Sequence, residues 1–592
     1  MKRFTWLLVL PLLVLVAPKT QAKDAWNRVE SKNFILVGNA GVDGMKKVAT
    51  KLEQFRLTLT VLFPGLKVDT SVPTRVYVFD NDDDFHPYKP LYKGKTQDDV
   101  AAFFLSTSEL NYMALSTDGR FEDPLAPIFH EYEHFIIRQN LNNVPLWMNE
   151  GLAEFYSTFT PKEGGTKAVI GKPIVRHIGT LRNSPLIPLN KLFAVDGNSP
   201  YYNESGKAGI FYAESWALIH YLIFQDLTKK THTLANFIQA LGTDLTLDDA
   251  FLQVFQRDYA TVQEELRQYV SKFAFPVVDV SFDAAIEESK SMTAGKFTEA
   301  ETEYLAGDLL VQLGKFEDAE KHLSKSIALD ANSAPTHISL GTLRLRQKQY
   351  DAAKSEYLAA VAADPKNNLG HYYRGIFLVS ERANDEAVAA FQRSIELQPS
   401  FAPAHARLAD LYVRLGQDNP AIQEYGKAIA VDPHNVSARQ SSALALTRVG
   451  RGAIAGMMAK SYITLRGWDD QQSKYMLLVA VLGYREAHQA QEADRLLEAA
   501  RKRYSASDWP GPIFRYLRHE LSAADLMALA TDNDKRTEAH AYLGLDLVHA
   551  GKSDDARPHL EWVVANGNKT FLEVPLAAAE LKRITTKTAP TQ

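Results

Sequence analysis

The 592-residue sequence predicts an α+β domain, a small mixed sheet with helices, followed by an all-α solenoid of paired helices. Three observations carry this expectation. Residues 26–276 alternate short β-branched and aromatic runs with segments of helical period. After Glu299 the strand-like runs stop and a period of 34 residues takes over. Within the first region stands one H-E-x-x-H pattern, whose spacing puts both histidines on one face of a helix.

Taken in order, Lys2 and Arg3, the apolar run 4–16 and Thr20-Gln21-Ala22 read as an export signal over residues 1–22. The run is short for a bilayer span, so no stable membrane span is expected after cleavage, and the destination is periplasmic or secreted. A domain over 23–276 follows. Its strand-like runs are 33–37, 74–79, 101–105 and 111–115, and Met45, Val48, Ala49, Leu52, Phe55 and Leu59 mark one face of a helix between the first two. Residues 277–298 read as a linker.

The period is explicit in several registers. Ala319, Ala353, Ala387, Ala421 and Ala455 are 34 residues apart, as are Gly307, Gly341 and Gly375 with Ala409 and Ala443, and Pro365, Pro399 and Pro433. Small residues let two helices of a unit approach closely, and proline stops the second helix. This pattern resembles the tetratricopeptide repeat, over 299–465, with degenerate helical repeats over 466–585 and another unit marked by Gly544, Gly551 and Ala556. The resemblance implies a groove for an extended peptide or partner helix, hence a protein partner.

Composition narrows the chemistry. The formal charge of −5, with no long run of Lys or Arg, leaves no footprint for nucleic acid. With no cysteine, any metal is held by histidines and carboxylates.

The pattern itself is His130-Glu131-Tyr132-Glu133-His134, with Asp123 as a helix cap and Pro124 in the first turn. Both imidazoles can reach one metal while Glu131 lies alongside. A catalytic zinc takes a third protein ligand and keeps a position for water, and Asn149-Glu150-Gly151-Leu152-Ala153-Glu154 follows. Here the sequence resembles the gluzincin metallopeptidases, the clan of thermolysin and aminopeptidase N, and most of all their compact peptidase-MA-like members. The resemblance implies one zinc per chain held by His130, His134 and Glu150, with Glu154 orienting His130. It also implies Glu131 as the base that activates water, and peptides or proteins as substrates.

The segment Tyr212-Ala213-Glu214-Ser215-Trp216 is similar to the aminopeptidase helix whose tyrosine donates to the oxyanion, which points to Tyr212. Tyr201, Tyr202 and His220 are its rivals. By the same analogy the run 111–115 is the sheet edge that pairs with substrate. Only 15 residues separate His134 from Glu150, fewer than in thermolysin, and no G-x-M-E-N segment is present, so the expectation is an endopeptidase. The alternative is a tetratricopeptide scaffold of the cell envelope with an inactive peptidase-like domain. A deacetylase or lactonase would fit the metal site but not the tyrosine segment.

Overall fold

The computed structural model describes residues 26–69, 72–118, 125–141, 144–162, 165–243, 245–272, 274–282 and 291–588. The expected export segment, Asp123 and Pro124 lie outside these residues.

The N-terminal region is a mixed sheet with helices, and it is followed by paired helices to the C-terminus. The main sheet has six strands among the described residues: β1 (Asn27–Glu30), β2 (Ile35–Gly38), β3 (Thr74–Phe79), β4 (Ala102–Ser106), β5 (Asn111–Ser116) and β6 (Thr293–Lys296). Their order is β6-β1-β2-β3-β5-β4; β2, β3 and β5 are parallel, and the remaining pairs are antiparallel. Helix α1 (Gly41–Leu62) makes the crossover from β2 to β3, and the six residues that marked its apolar face are all buried.

Two expectations change here. The run 111–115 is not an edge: β5 lies between β3 and β4, all six of its residues are buried, and β4 takes the edge. Nor is 277–298 simply a linker, because Val278–Ser281 pairs with Lys167–Ile170 in a small second sheet and β6 pairs with β1. Both strands are too short and too polar for period-2 patterning to reveal; pairing, not composition, makes them strands.

Along β3, successive side chains point to opposite faces. Val76 and Val78 join the core under α1, whereas Tyr77 and Phe79 join a second core with Leu305, Leu309, Leu323 and Leu343 of the first repeats. The sheet is therefore covered on both faces, which is why β3 reads as a continuous apolar run.

The repeats are antiparallel helix pairs, beginning with Glu299–Gln312 and Phe316–Leu329 and ending with Asn533–His549 and Ser553–Asn566 before a last helix, Glu573–Thr588. The periodic glycines are explained by contact. A Cβ at Gly307, Gly341 or Gly375 would lie 2.6, 2.6 or 2.7 Å from Leu323, Tyr357 or Phe391 of the paired helix. The alanines at the second small position, from Ala319 to Ala455, are wholly buried.

The domain meets the first helix of the first unit and the first helix of the third. Arg75 Nη1 and Tyr112 Oη donate to Asp308 at 3.1 and 3.0 Å in the first unit. Tyr373 Oη of the third unit donates to Glu109 at 3.0 Å. Farther along, Lys502 lies 3.4 Å from Asp249.

Candidate metal centre

Helix α2 (Ala126–Asn140) is held by its apolar face: Phe129 stacks on Phe55 of α1 at 4.8 Å, and Phe135 meets Phe104 of the edge strand at 4.6 Å. Arg56 Nη1 donates to Tyr132 Oη at 2.7 Å, a buried tie between α1 and α2. Four-residue spacing then puts His130 and His134 together at the margin of that face, partly exposed, with their Nε2 atoms 3.0 Å apart.

Helix α3 (Leu146–Ser157) brings the carboxylate. Glu150 Oε2 lies 3.4 Å from each Nε2, and the ligand atoms of His130, His134 and Glu150 all fall within 4.8 Å of one another. Glu150 is 3% exposed, and its Oε2 has no hydrogen-bond partner. Burial pushes its acidity toward the neutral form, but the two facing imidazoles outweigh this and hold it at about 2. A buried anionic oxygen aimed between two imidazoles is costly unless a cation sits there. Two imidazoles and one carboxylate are the donor set of a three-ligand catalytic zinc, so the residues fit that metal.

Glu131 is half-buried beside them. Burial raises its pKa, the charge of Glu150 adds to this, and the histidines oppose it. Glu133, on the inner side of the helix, is buried with Oε2 unpartnered, and burial lifts it to about 8.

Glu154 stands one turn beyond Glu150, 5% exposed, with Oε1 3.8 Å from His130 Nδ1. Two further residues reach it from helix α4 (Val175–Asn183): His177 Nε2 lies 3.1 Å from Oε2, and Arg176 Nη2 donates to Oε1 at 3.3 Å. Burial opposes its ionisation, yet His177, His130 and Arg176 together lower its pKa. Nothing in the sequence singled out His177 or Arg176, because neither stands at motif spacing from α2 or α3.

The glycine of Asn149-Glu150-Gly151 has a packing role. A Cβ on Gly151 would lie 2.4 Å from the Ser215 carbonyl oxygen and 2.7 Å from Ile219 Cγ1, both on helix α6 (Ser205–Lys229). Only a glycine lets α3 sit this close to the helix that carries Tyr212.

The tyrosine nearest the carboxylate is Tyr202, on the short helix α5 (Pro200–Asn203). Its hydroxyl donates to Glu150 Oε1 at 3.3 Å, and burial with the Glu150 charge pushes its pKa to about 12. Tyr212 packs beside Tyr202, their rings 6.2 Å apart, and burial and the Glu150 charge raise its pKa as well. Tyr201 packs on the apolar core, and no polar contact to the ligands is recorded for it. His220 is wholly buried elsewhere: Nδ1 meets Tyr269 Oη at 2.7 Å, Nε2 donates to the Gly171 carbonyl at 3.0 Å, and burial lowers its pKa to about 4.

Against known families, tetratricopeptide-repeat models match residues 300–333, 338–401 and 378–447, and a model described as a protein of unknown function (DUF1570) matches 125–248. No curated protein matches the chain. Among solved structures, "Functional Characterization of Pseudomonas Aeruginosa pilF" is 18% identical, covering 38% of this chain and 98% of that one with a TM-score of 0.31. "Crystal structure of MamA protein" is 24% identical, covering 30% and 95%, TM-score 0.25. "Crystal structure of YrrB: a TPR protein with an unusual peptide-binding site" is 17% identical, covering 34% and 98%, TM-score 0.28.

Proposed function

We infer that the C-terminal half, which matches tetratricopeptide-repeat models within residues 300–447, is a solenoid that serves protein interaction. We propose that the N-terminal domain is a zinc-dependent metallopeptidase of gluzincin type, exported from the cell and cutting within peptide chains. The convergence of His130, His134 and Glu150 within 4.8 Å, with Glu131 beside them, carries this reading.

Zinc held there would act as a Lewis acid on the substrate carbonyl and make water acidic enough to react near neutral pH. Glu131, half-buried beside the two histidines, takes the proton from the attacking water and delivers it to the leaving amine. Glu154 fixes the His130 imidazole from behind, and His177 and Arg176 hold Glu154 in turn. Tyr202 secures Glu150, while Tyr212, packed beside Tyr202, is the donor for the developing oxyanion. The repeats recruit a substrate or partner protein. Export rests on residues 1–22; no helix among the described residues is long and apolar enough to cross a membrane.

A second reading, a catalytically silent scaffold of the cell envelope, is favoured by the repeat matches within residues 300–447, while the family matched over 125–248 is of unknown function. One experiment separates the two. Purified chain and its Glu131→Gln variant are assayed for bound zinc and for cleavage of casein and a mixed peptide library. Zinc in both with cleavage by the unmodified chain alone supports the peptidase; no zinc after metal-replete refolding leaves the scaffold.

A further inference from the structure

One cross-helix pair of the repeats changes its chemistry at the C-terminus. In the first, second and fourth units, the residue four positions before the periodic glycine or alanine meets a partner 19 residues on, in the second helix of the unit. The pair is always one imidazole and one carboxylate: Glu303 with His322, His337 with Glu356, and His405 with Glu424. In the last unit, helices Asn533–His549 and Ser553–Asn566 bring His540 and His559 to these two places. The ion pair is gone, and two nitrogen donors face each other instead.

The surroundings fix this pair. The Nδ1 atoms lie 2.7 Å apart and the ring centroids 5.0 Å. Trp562 stacks on the His540 ring at 4.4 Å with planes within 20°, which sets the direction of its Nδ1. A Cβ on Gly544 would stand 3.4 Å from His559 Cβ, so the glycine lets the two helices approach closely beside the pair. Both imidazoles are partly exposed, and ions in solution can reach them. Burial, His559 and Arg536 lower the His540 pKa, and burial lowers that of His559, so at neutral pH both rings are in the uncharged form that binds metals.

We propose that His540 and His559 form a binding site for Cu2+ in the last repeat, separate from the candidate metal centre. Among the described residues no third His, Asp or Glu joins them at ligand distance, so water fills the remaining positions. Geometry and donor type select the ion. Two nitrogens each about 2.0 Å from one ion are about 2.9 Å apart at a right angle and about 3.3 Å apart at a tetrahedral angle. The observed 2.7 Å is nearer the first, the arrangement of square-planar copper or nickel, and copper holds nitrogen donors the more tightly of the two. A site without carboxylates does not suit calcium or magnesium. Binding uses both Nδ1 lone pairs, so the ring that carries its proton on Nδ1 shifts it to Nε2, and no net proton is released. The ion then joins the two helices where an ion pair joins them in other units. Because it binds the paired helices and not the separated ones, it stabilises this unit. None of this depends on whether the candidate metal centre is catalytic.

The test titrates the full-length chain, equilibrated with zinc, with Cu2+ in a glycine buffer that withholds loosely bound copper. Two variants accompany it: His540→Phe, which keeps a ring against Trp562, and His559→Leu. The unmodified chain is expected to retain one more equivalent of copper than either variant, and the electron paramagnetic resonance of that extra equivalent to show two coupled nitrogens. Copper is also expected to slow amide exchange over residues 533–566 about tenfold in the unmodified chain and in neither variant. Equal retention by all three chains, a single coupled nitrogen, or the same slowing in the variants overturns the proposal and leaves the pair with a shared proton alone. Should a variant fail to fold, the unmodified chain decides by itself through modification with diethyl pyrocarbonate, mapped by mass spectrometry. Protection of both His540 and His559 by copper supports the site, and unchanged modification of either overturns it.

Discussion

Arg75 of the central strand and Asp308 of the first repeat form a salt bridge at 3.1 Å, their side chains 17% and 9% exposed, across the joint between the two halves. Asp308 also accepts from Tyr112 and from Ser339 of the second repeat, so one carboxylate ties sheet, first repeat and second repeat together. Removing it leaves a buried guanidinium without its counter-charge, a loss of about 3–5 kcal/mol. Asp308→Ala is expected to lower the denaturant midpoint and to separate unfolding of the sheet from that of the repeats. Arg75→Met with Asp308→Leu should cost less than the two single changes summed, measured by a double-mutant cycle.

In the proposed metal centre His177 and Arg176 contact Glu154, and Glu154 faces His130. Truncating such a support weakens metal affinity about 10–100-fold while leaving the ligands in place. His177→Ala and Glu154→Ala should each show this loss in a competition with a zinc chelator. Arg176→Ala should show a smaller one, because the arginine side chain is 65% exposed and solvent screens its contribution.

Gly151→Ala is expected to destabilise the domain by about 1–3 kcal/mol, since the new methyl would stand 2.4 Å from the Ser215 carbonyl oxygen and neither helix can yield locally. Thermal unfolding measures it. Because α3 carries both Glu150 and Glu154, the surviving folded fraction should also bind zinc more weakly.

Two phenylalanine substitutions separate the neighbouring hydroxyls. Tyr202→Phe removes the donor to Glu150 Oε1 and should change zinc affinity more than turnover. Tyr212→Phe should leave zinc affinity nearly unchanged and lower kcat about 100-fold, the effect of deleting one oxyanion donor. The reverse pattern would assign the donor to Tyr202.

In the last repeat His540 and His559 face each other with Nδ1 atoms 2.7 Å apart, where equivalent positions elsewhere pair histidine with glutamate, as His337 with Glu356 at 2.7 Å and His405 with Glu424 at 2.6 Å. Two imidazoles this close share one proton between them and cannot both be charged. Burial, His559 and Arg536 lower the His540 pKa to about 4, and burial lowers that of His559. Both folded values lie below the ordinary histidine value near 6.5, so the stability from this pair is present above that pH and is lost as pH falls toward 4. Thermal unfolding between pH 7.5 and 4.5 should show the C-terminal repeats weakening with acid. His559→Glu, restoring the pairing of the other units, should reduce that loss.

What was readable from the chain was whatever repeats or falls at helical spacing. Small residues every 34 positions announce helix pairs, because a Cβ at Gly307 or Gly375 cannot fit against the paired helix wherever the unit sits. His130 and His134 announce a shared face because four residues of helix bring two imidazoles together in any context, and their Nε2 atoms lie 3.0 Å apart. Glu150 and Glu154 were found by resemblance to a known segment, and the structure brings both to the histidines.

The rest depended on contacts between distant segments, which leave no period to read. His177 and Arg176 reach Glu154 only because α4 folds back over α3, and Tyr202 reaches Glu150 only because α5 and α6 pack beside it. The edge of the sheet could not be assigned to β4 rather than β5 from patterning, since β5 is buried on one face by α1 and α2 and on the other by the distant repeats. That the repeats cover the sheet's second face, and that Glu109 meets Tyr373 of the third unit, follows from hydrogen bonds and apolar contacts between segments about two hundred residues or more apart. Local spacing sets which side chains share a helix face; only the free energy of packing one element on another decides which faces meet.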